Sequence, residues 1–293
     1  MENLSRPVRS VKIPLTVAVP AYLRDHRYEG RIVFPAVEAL QILAGSLPDD
    51  LSGCDIRLQE GGVFSHLLPL DPEADTFDAF HEISFFPDGR RHSRLTTLRS
   101  GRKTHLTRGI EHVSVCFLSK NPQCARPGSD IQRSCVEAVV KEEAPFSFSS
   151  RRLYADLVPF GPAYHNAVGE VCLTPSGGWA DVSGGDFREA VGPLGSPFPF
   201  DAAMHLACAW GQRFRDVVAF PVGFDRREIL SPTSAGATYR CRVLPLQDEG
   251  AVLRFDVRLF GNDDRPAEII LGLRMRDVSG GRIKPPAWVR EGV

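Results

Sequence analysis

The chain has 293 residues, with 35 Lys and Arg against 36 Asp and Glu, so its formal net charge is −1. Its 43% hydrophobic and 24% charged residues are typical of a globular protein. A length near 300 residues allows one large domain or two domains of about 150 residues. The balanced charge argues against nucleic-acid binding, which usually needs a dense excess of Lys and Arg.

The chain contains no run of ~18 apolar residues, so we expect no contact with a membrane. The seven cysteines are widely spaced and include no C-x-x-C pair, a pattern that favours reduced thiols over disulfides or a zinc site. From these features we predict a cytoplasmic protein that binds no metal.

Two segments are apolar nearly all round, as a helix buried in a core would be. The first is Pro35–Ala44, in which Glu38 and Gln41 are the polar residues, and the second is Pro199–Trp210. Each begins with a proline, which suits the first turn of a helix because the N–H that it lacks would be unpaired there.

Most of the remaining chain alternates between apolar and polar residues, which predicts strands with one buried face. The clearest alternation covers Val113–Phe117, Thr238–Val243, Leu253–Leu259 and Ile269–Arg276. Between Ser119 and Ser150 this patterning weakens, which suggests a linker. We therefore predict an α+β fold of two halves, 1–140 and 141–293, each a curved antiparallel sheet wrapped around one central helix.

Asp201 and His205 stand four residues apart on the second apolar helix, so that their side chains can meet on one face. Two roles are open for this pair. It is either structural, as a buried hydrogen bond or a cap near the helix start, or it keeps a carboxylic acid protonated so that the acid can donate a proton.

His26 lies just before the first apolar helix, and Gly30 follows it closely. A lone histidine is more often a packing or surface residue than a base. Here, however, the free N–H groups of a helix N-terminus stand nearby, and a glycine would let a ligand approach the backbone. A substrate carbonyl could be polarised at such a place.

The spacing of several short motifs resembles that of the dehydratase domains of polyketide synthases. His26, Gly30 and Pro35 match the H-x-x-x-G-x-x-x-x-P motif of that family. Three further segments follow in the family's order: Phe160–Tyr164 is similar to Y-G-P-x-F, Asp201–His205 to D-x-x-x-Q/H, and Phe220–Phe224 to L-P-x-x-x.

This resemblance implies a double hotdog fold with one active site between the two units. It implies that His26 is the general base and Asp201 the general acid of a dehydratase, with His205 orienting Asp201. The substrate would be a 3-hydroxyacyl thioester on the phosphopantetheine arm of an acyl carrier protein, and no other cofactor would be needed. The implied substrate-binding residues are Gly30, Pro35, Phe160, Gly161, Pro162, Tyr164, His205 and Pro221.

The implied partners are the acyl carrier protein and other components of a polyketide or fatty acid synthase, and relatives often form homodimers. Two alternatives stay open. Related domains isomerise double bonds or guide polyketide cyclisation with the same pair, although the retained Asp201 favours dehydration over isomerisation. A non-catalytic scaffold that binds acyl carrier protein is the other, because Phe160 replaces the family's tyrosine and removes its hydroxyl.

Overall fold

The computed structural model describes residues 6–48, 53–100, 107–120, 145–246 and 250–292. Antiparallel strands are the main secondary structure of the described chain, as the alternating pattern predicted. The strands before residue 121 are β1 (Arg9–Ala18), β2 (Arg27–Tyr28), β3 (Arg31–Phe34), β4 (Cys54–Phe64), β5 (Leu68–Pro69), β6 (Thr76–Phe85), β7 (Arg91–Ser100) and β8 (Thr107–Ser119).

The strands after residue 144 form the second part of the fold. They are β9 (Phe146–Ser149), β10 (Ala167–Thr174), β11 (Gly177–Ser183), β12 (Phe220–Ile229), β13 (Thr238–Pro245), β14 (Val252–Phe260) and β15 (Pro266–Arg276). The helices of the described chain are α1 (Ala36–Gly45), α2 (Ser150–Arg152), α3 (Phe198–Arg215) and α4 (Ala287–Glu291). None of them is long and apolar enough to cross a membrane.

The strands of the two parts join into one twelve-stranded sheet, in the order β1-β6-β7-β8-β4-β12-β15-β14-β13-β11-β10-β9. Strands β2, β3 and β5 form a small separate sheet. The junction is the antiparallel pair β4–β12, where Gly62 lies opposite Phe224. Because a Cβ at position 62 would collide with the Phe224 ring, glycine lets that ring pack across the junction.

The two apolar helices form as predicted, with shifted ends. Pro35 is the residue before α1 and not part of its first turn. Helix α3 runs five residues beyond Trp210, because the side chain of Gln212 is buried and donates a hydrogen bond to the Leu157 carbonyl (3.1 Å). Helix α1 packs against β7 and β8, whereas α3 packs against β10, β11, β13 and β14.

A buried glutamine on α1 ties the first helix to the second part of the chain. The Gln41 side-chain amide donates to the Gly195 carbonyl (2.6 Å) and accepts from the Leu194 N–H (3.0 Å). These bonds hold the turn that leads into α3. The two helices, and the side chains that they carry, are therefore fixed relative to each other.

The alternating pattern predicted the wrong buried residue at one position of β15. It placed Leu271 on the buried face, but the structure buries Ile270 and leaves Leu271 half-buried. The pairing with β14 shifts here, with Leu273 opposite Phe255 but Ile270 opposite Val257. Gly272 takes a positive φ of 62°, and the resulting bulge turns the following residues back to the core face.

The predicted linker between Ser119 and Ser150 falls mostly on residues 121–144, outside the described residues, and so does the predicted boundary at residue 140. Two parts of that stretch are regular: Ser119 ends β8 and Phe146–Ser149 forms β9. The weak pattern missed β9 because a four-residue edge strand gives little alternation to read.

Candidate active site

A cavity of about 170 Å³ lies beside α1 and α3. Apolar side chains provide most of its wall, including Phe34 and Val37 from the first part of the chain and Met204 from the second. Among the residues that the sequence singled out, five line this cavity together: His26, Phe160, Asp201, His205 and Pro221.

His26 follows a short 3₁₀ turn, Ala21–Asp25, and is half-buried. Its Nδ1 lies 2.7 Å from the Val33 carbonyl oxygen. Since a carbonyl can only accept, Nδ1 carries the proton of the neutral ring and Nε2 holds the free lone pair. Burial lowers the pKa of His26 below its usual 6.5, although nearby Asp201 and the bond to Val33 oppose the shift. His26 is therefore a neutral base at pH 7.

Two aromatic rings hold the imidazole of His26 in place. The ring centroid of Phe160 is 4.4 Å from that of His26, and the centroid of Tyr164 is 5.0 Å away in an edge-on contact. Tyr164 is fully buried and does not line the cavity, and its hydroxyl finds no hydrogen-bond partner among the described residues. The Tyr164 hydroxyl is thus not placed to replace the one that Phe160 lacks.

Asp201 lies in the first turn of α3 and is 5% exposed. Its Oδ2 is 3.0 Å from Nε2 of His205, one helical turn later. The capping role considered for Asp201 is wrong, because the helix is preceded by Pro197 and has no side-chain cap. The two side chains are in contact but without the geometry of a hydrogen bond, and both also face the cavity. This placement suits a group that reacts with a ligand.

Gly161 and Pro162 lie outside the cavity lining, but their segment holds the chain that carries His26. The Gly161 N–H donates to the Asp25 carbonyl (2.8 Å), and the Ala163 N–H donates to the Asp25 carboxylate (2.9 Å). A Cβ at position 161 would collide with the Asp25 side chain. The glycine is therefore required for the close approach of two chain segments that come from different parts of the sequence.

Gly30 and Pro35 also lie outside the cavity lining. Gly30 is exposed in the tight turn between β2 and β3, where Glu29 and Gly30 have φ values of 48° and 75°. A glycine suits this turn because it adopts positive φ without strain. Pro35 is buried directly before α1. The backbone conformation therefore explains why a glycine and a proline occur at these two positions. Their contact with substrate stays a prediction.

Two further histidines line the cavity, and neither competes with His26 as a base. His112 has both ring nitrogens occupied, since Nδ1 donates to the His66 carbonyl (3.1 Å) and Nε2 accepts from Thr97 (2.9 Å). His66 donates through Nδ1 to the Glu111 carbonyl (2.9 Å) and is exposed. His26 alone among these three combines partial burial with a free nitrogen beside Asp201.

The sequence reasoning missed two buried tyrosines near the site. The Tyr154 hydroxyl contacts His205, and the Tyr22 hydroxyl donates to Glu38 (3.0 Å). Tyr154 lies six residues before Phe160, the first residue of a recognised motif. This proximity is the sequence signal that could have pointed to Tyr154. No local pattern indicated Tyr22, because its partner lies sixteen residues away, on α1.

No family model and no curated protein matches this sequence, but solved structures do. The dehydratase domain of a mycocerosic acid synthase-like polyketide synthase has a TM-score of 0.69 and 16% identity, covering 94% of this chain and 96% of that chain. The dehydratase domain of RzxB from Pseudomonas fluorescens has a TM-score of 0.66 and 14% identity, covering 90% and 94%.

A third similar structure is an inactive mutant of the CurJ dehydratase, in which phenylalanine replaces a histidine. Its TM-score is 0.67 at 14% identity, and the match covers 94% of this chain and 93% of that chain. These similarities confirm the predicted fold and the resemblance on which it rested: the chain has the double hotdog fold of polyketide synthase dehydratase domains.

Proposed function

We propose that this protein is a dehydratase that removes water from a 3-hydroxyacyl thioester. The observation that supports it best is the pairing of a neutral imidazole with a buried carboxyl group on the wall of one apolar cavity. His26 offers an unoccupied Nε2, and Asp201 lines the same cavity on α3. A proton acceptor and a proton donor are the two groups that elimination of water from such a substrate needs.

In the proposed reaction, Nε2 of His26 removes a proton from C2, next to the thioester carbonyl. The electron pair of that C–H bond forms the C2–C3 double bond, and the C3–O bond breaks. Protonated Asp201 gives its proton to the departing hydroxyl, which leaves as water. The product is a 2,3-unsaturated thioester, and the enzyme then holds imidazolium and carboxylate, which must exchange a proton before the next cycle.

The apolar wall supports an acyl chain as the part of the substrate that enters. Phe34, Val37 and Met204 offer it no charged partner. Burial of an alkyl chain against such side chains contributes about 25 cal/mol per Å² of apolar surface. We further propose that the chain arrives on the phosphopantetheine arm of an acyl carrier protein within a synthase. The CurJ, RzxB and mycocerosic acid synthase-like domains are all named as dehydratases, which is consistent with this assignment.

The experiment uses purified protein and a 3-hydroxyacyl pantetheine thioester, with loss of one water followed by mass spectrometry. His26→Ala and Asp201→Asn should each lower kcat/KM by about 10²–10⁴-fold. His92→Ala is the matched control, because His92 on β7 does not line the cavity, and it should keep wild-type activity. Equal turnover by wild type and both site variants would refute the assignment.

The pH dependence adds an independent check of the base. Because the pKa of His26 is lowered, the imidazole stays neutral to more acidic pH than a free histidine. The acidic limb of kcat/KM should therefore lie below pH 6.5. A double-bond shift without loss of water would favour an isomerase, and carrier-protein binding without any turnover would favour a scaffold.

A further inference from the structure

One face of helix α3 lines the cavity over two helical turns. The residues of α3 in the cavity wall are Asp201, Met204, His205 and Cys208. Because side chains three and four residues apart lie one above the other on a helix, these four form a continuous stripe. The cavity therefore extends along α3 from Asp201 toward Cys208.

The cavity is closed where this stripe reaches Cys208. Cys208, Val158 and Ala219 belong to the wall, and all three are buried. Gln212 is the next residue on the same face of α3 and does not line the cavity. Its side chain is 1% exposed and donates to the Leu157 carbonyl (3.1 Å) and to Sγ of Cys208 (3.4 Å). These bonds join α3 to the chain at residue 157, so Cys208 is the last residue of α3 that a ligand can reach.

The exposed residues of the cavity wall lie on other elements. Leu67, between β4 and β5, is 53% exposed, and Val278, after β15, is 40% exposed. Arg276 at the end of β15 is also exposed. An entering ligand therefore meets these residues first and the buried wall at Cys208 last.

The proposed reaction gives the substrate a direction within the cavity. His26 takes the proton from C2 and Asp201 protonates the hydroxyl on C3, so the chain beyond C3 continues past Asp201. We propose that this part of the acyl chain lies along α3 and that Cys208 stops it, which makes Cys208 the residue that limits acyl-chain length. The inference rests on the proposed function, which supplies the acyl substrate and its direction.

The spacing along α3 sets the length of chain that fits. Seven residues separate Asp201 from Cys208, a rise of about 10 Å at 1.5 Å per residue. An extended chain advances about 1.2 Å per bond, since the three bonds of an extended residue span about 3.3–3.6 Å. The stripe thus has room for about eight carbons beyond C3. A cavity of about 170 Å³ is small beside the ~300–1,000 Å³ of typical ligand pockets, which favours a chain that ends at Cys208.

The thiol of Cys208 suits the end of an alkyl site. Burial raises the pKa of the Cys208 thiol to about 11, although the bond from Gln212 opposes the shift. The thiol is therefore neutral at pH 7, and a buried neutral thiol behaves as a small hydrophobic group. Because the thiolate is the nucleophile, a neutral thiol is also a poor nucleophile toward an unsaturated thioester product.

The test measures kcat/KM for straight-chain 3-hydroxyacyl pantetheine thioesters that lengthen by one carbon at a time. In the wild type, kcat/KM should rise about fourfold per buried methylene until the chain reaches Cys208, and should fall beyond that length. Cys208→Leu should move the maximum to a chain that is shorter by about one or two carbons, and Cys208→Ala to a chain about one carbon longer. The same maximum in the wild type and both variants would overturn the proposal.

Two further variants separate chain length from general effects on the core. Cys241→Ala is the matched control, because Cys241 is a buried cysteine on β13 that does not line the cavity, and its maximum should not move. Val113→Ala tests the direction of the chain, because Val113 is a buried wall residue on β8, in the first part of the chain. A maximum that moves in Val113→Ala but not in Cys208→Ala would refute the inference.

Binding of saturated acyl pantetheine thioesters, measured by calorimetry, separates the inference from the proposed function. These ligands lack the 3-hydroxyl and cannot lose water, but their affinity should show the same length limit and the same shifts in Cys208→Leu and Cys208→Ala. If these shifts occur and no 3-hydroxyacyl thioester is dehydrated, the proposed function fails while the length limit at Cys208 stands. Dehydration with a length limit that ignores Cys208, or no binding of any acyl thioester, would refute the inference.

Discussion

Helices α1 and α3 carry the same feature, an acidic residue in the first turn of an apolar helix, but place it in different surroundings. Glu38 on α1 is 7% exposed and Asp201 on α3 is 5% exposed. The Tyr22 hydroxyl bonds Glu38, which lies outside the cavity lining, whereas Asp201 faces the cavity beside His205. Under the proposed function, access to the cavity distinguishes Asp201 from Glu38, whereas residue type and position on the helix do not.

The state of Glu38 follows from its surroundings. Burial is the main cause that raises its pKa to about 8, nearby Asp201 adds to the shift, and the bond from Tyr22 opposes it. Glu38 is thus a neutral acid at pH 7, with no route to a substrate. It serves as an internal control for Asp201 within the same molecule.

The largest expected effect is a difference in activity between the two acids. Under the proposed function, Asp201→Asn should reduce dehydration by about 10²–10⁴-fold because it removes the proton that the proposed reaction donates. Glu38→Gln keeps a neutral side chain that still accepts from Tyr22, so its activity at pH 7 should stay within about threefold of the wild type. Steady-state kinetics on both variants test this. A loss of activity in Glu38→Gln comparable to that in Asp201→Asn would show that access to the cavity does not separate the two acids.

A smaller effect is expected where the two parts of the chain meet behind His26. Gly161→Ala should lower kcat/KM about tenfold, because the new Cβ displaces Asp25 and with it the imidazole of His26, and it should cost about 1–3 kcal/mol of stability. Gly30→Ala is the control: it introduces strain at positive φ, but its Cβ meets no atom within 4 Å. Steady-state kinetics and urea unfolding should show a larger loss of kcat/KM and of stability in Gly161→Ala than in Gly30→Ala. Equal kcat/KM values in the two variants would show that the packing of Gly161 on Asp25 does not position His26.

The pH dependence of stability should also separate the two helices. The pKa of Glu38 is about 8 in the folded protein against a usual 4.5, so the folded state holds a proton that the unfolded state releases. Its contribution therefore falls as pH rises from about 4.5 to about 8, by at most about 1.4 kcal/mol per pH unit. Glu38→Gln should flatten this fall in urea unfolding series. An unchanged slope in the variant would mean that Glu38 titrates alike in both states.

The smallest expected effect concerns the residue that departs from the family motif. Phe160→Tyr should change kcat/KM by no more than about threefold, because the ring already packs at 4.4 Å from His26 and the new hydroxyl adds at most one hydrogen bond. Measuring the variant beside the wild type on the same thioester checks this. A gain of tenfold or more would show that the missing hydroxyl limits this protein.

The sequence predicted what depends on local pattern and motif spacing. The apolar helices, the alternating strands and the placement of His26 and Asp201 at one cavity followed from such signals, whereas the catalytic roles of the two residues stay a prediction. Long-range contacts did not: the pairing of β4 with β12 and the bond between Tyr154 and His205 join residues that are distant along the chain. The misread strand β15 has another cause, since the bulge at Gly272 changes the side-chain period within an otherwise regular pattern.

The continuous pairing at the junction has a consequence for dividing the protein. Cutting the chain between its two parts would give each fragment a newly bared strand, β4 in one and β12 in the other, with a full row of hydrogen-bonding groups open to other chains. Exposed strand edges of this kind promote aggregation. Fragments produced apart should precipitate, whereas fragments made together can pair along β4 and β12 and rebuild the fold by complementation.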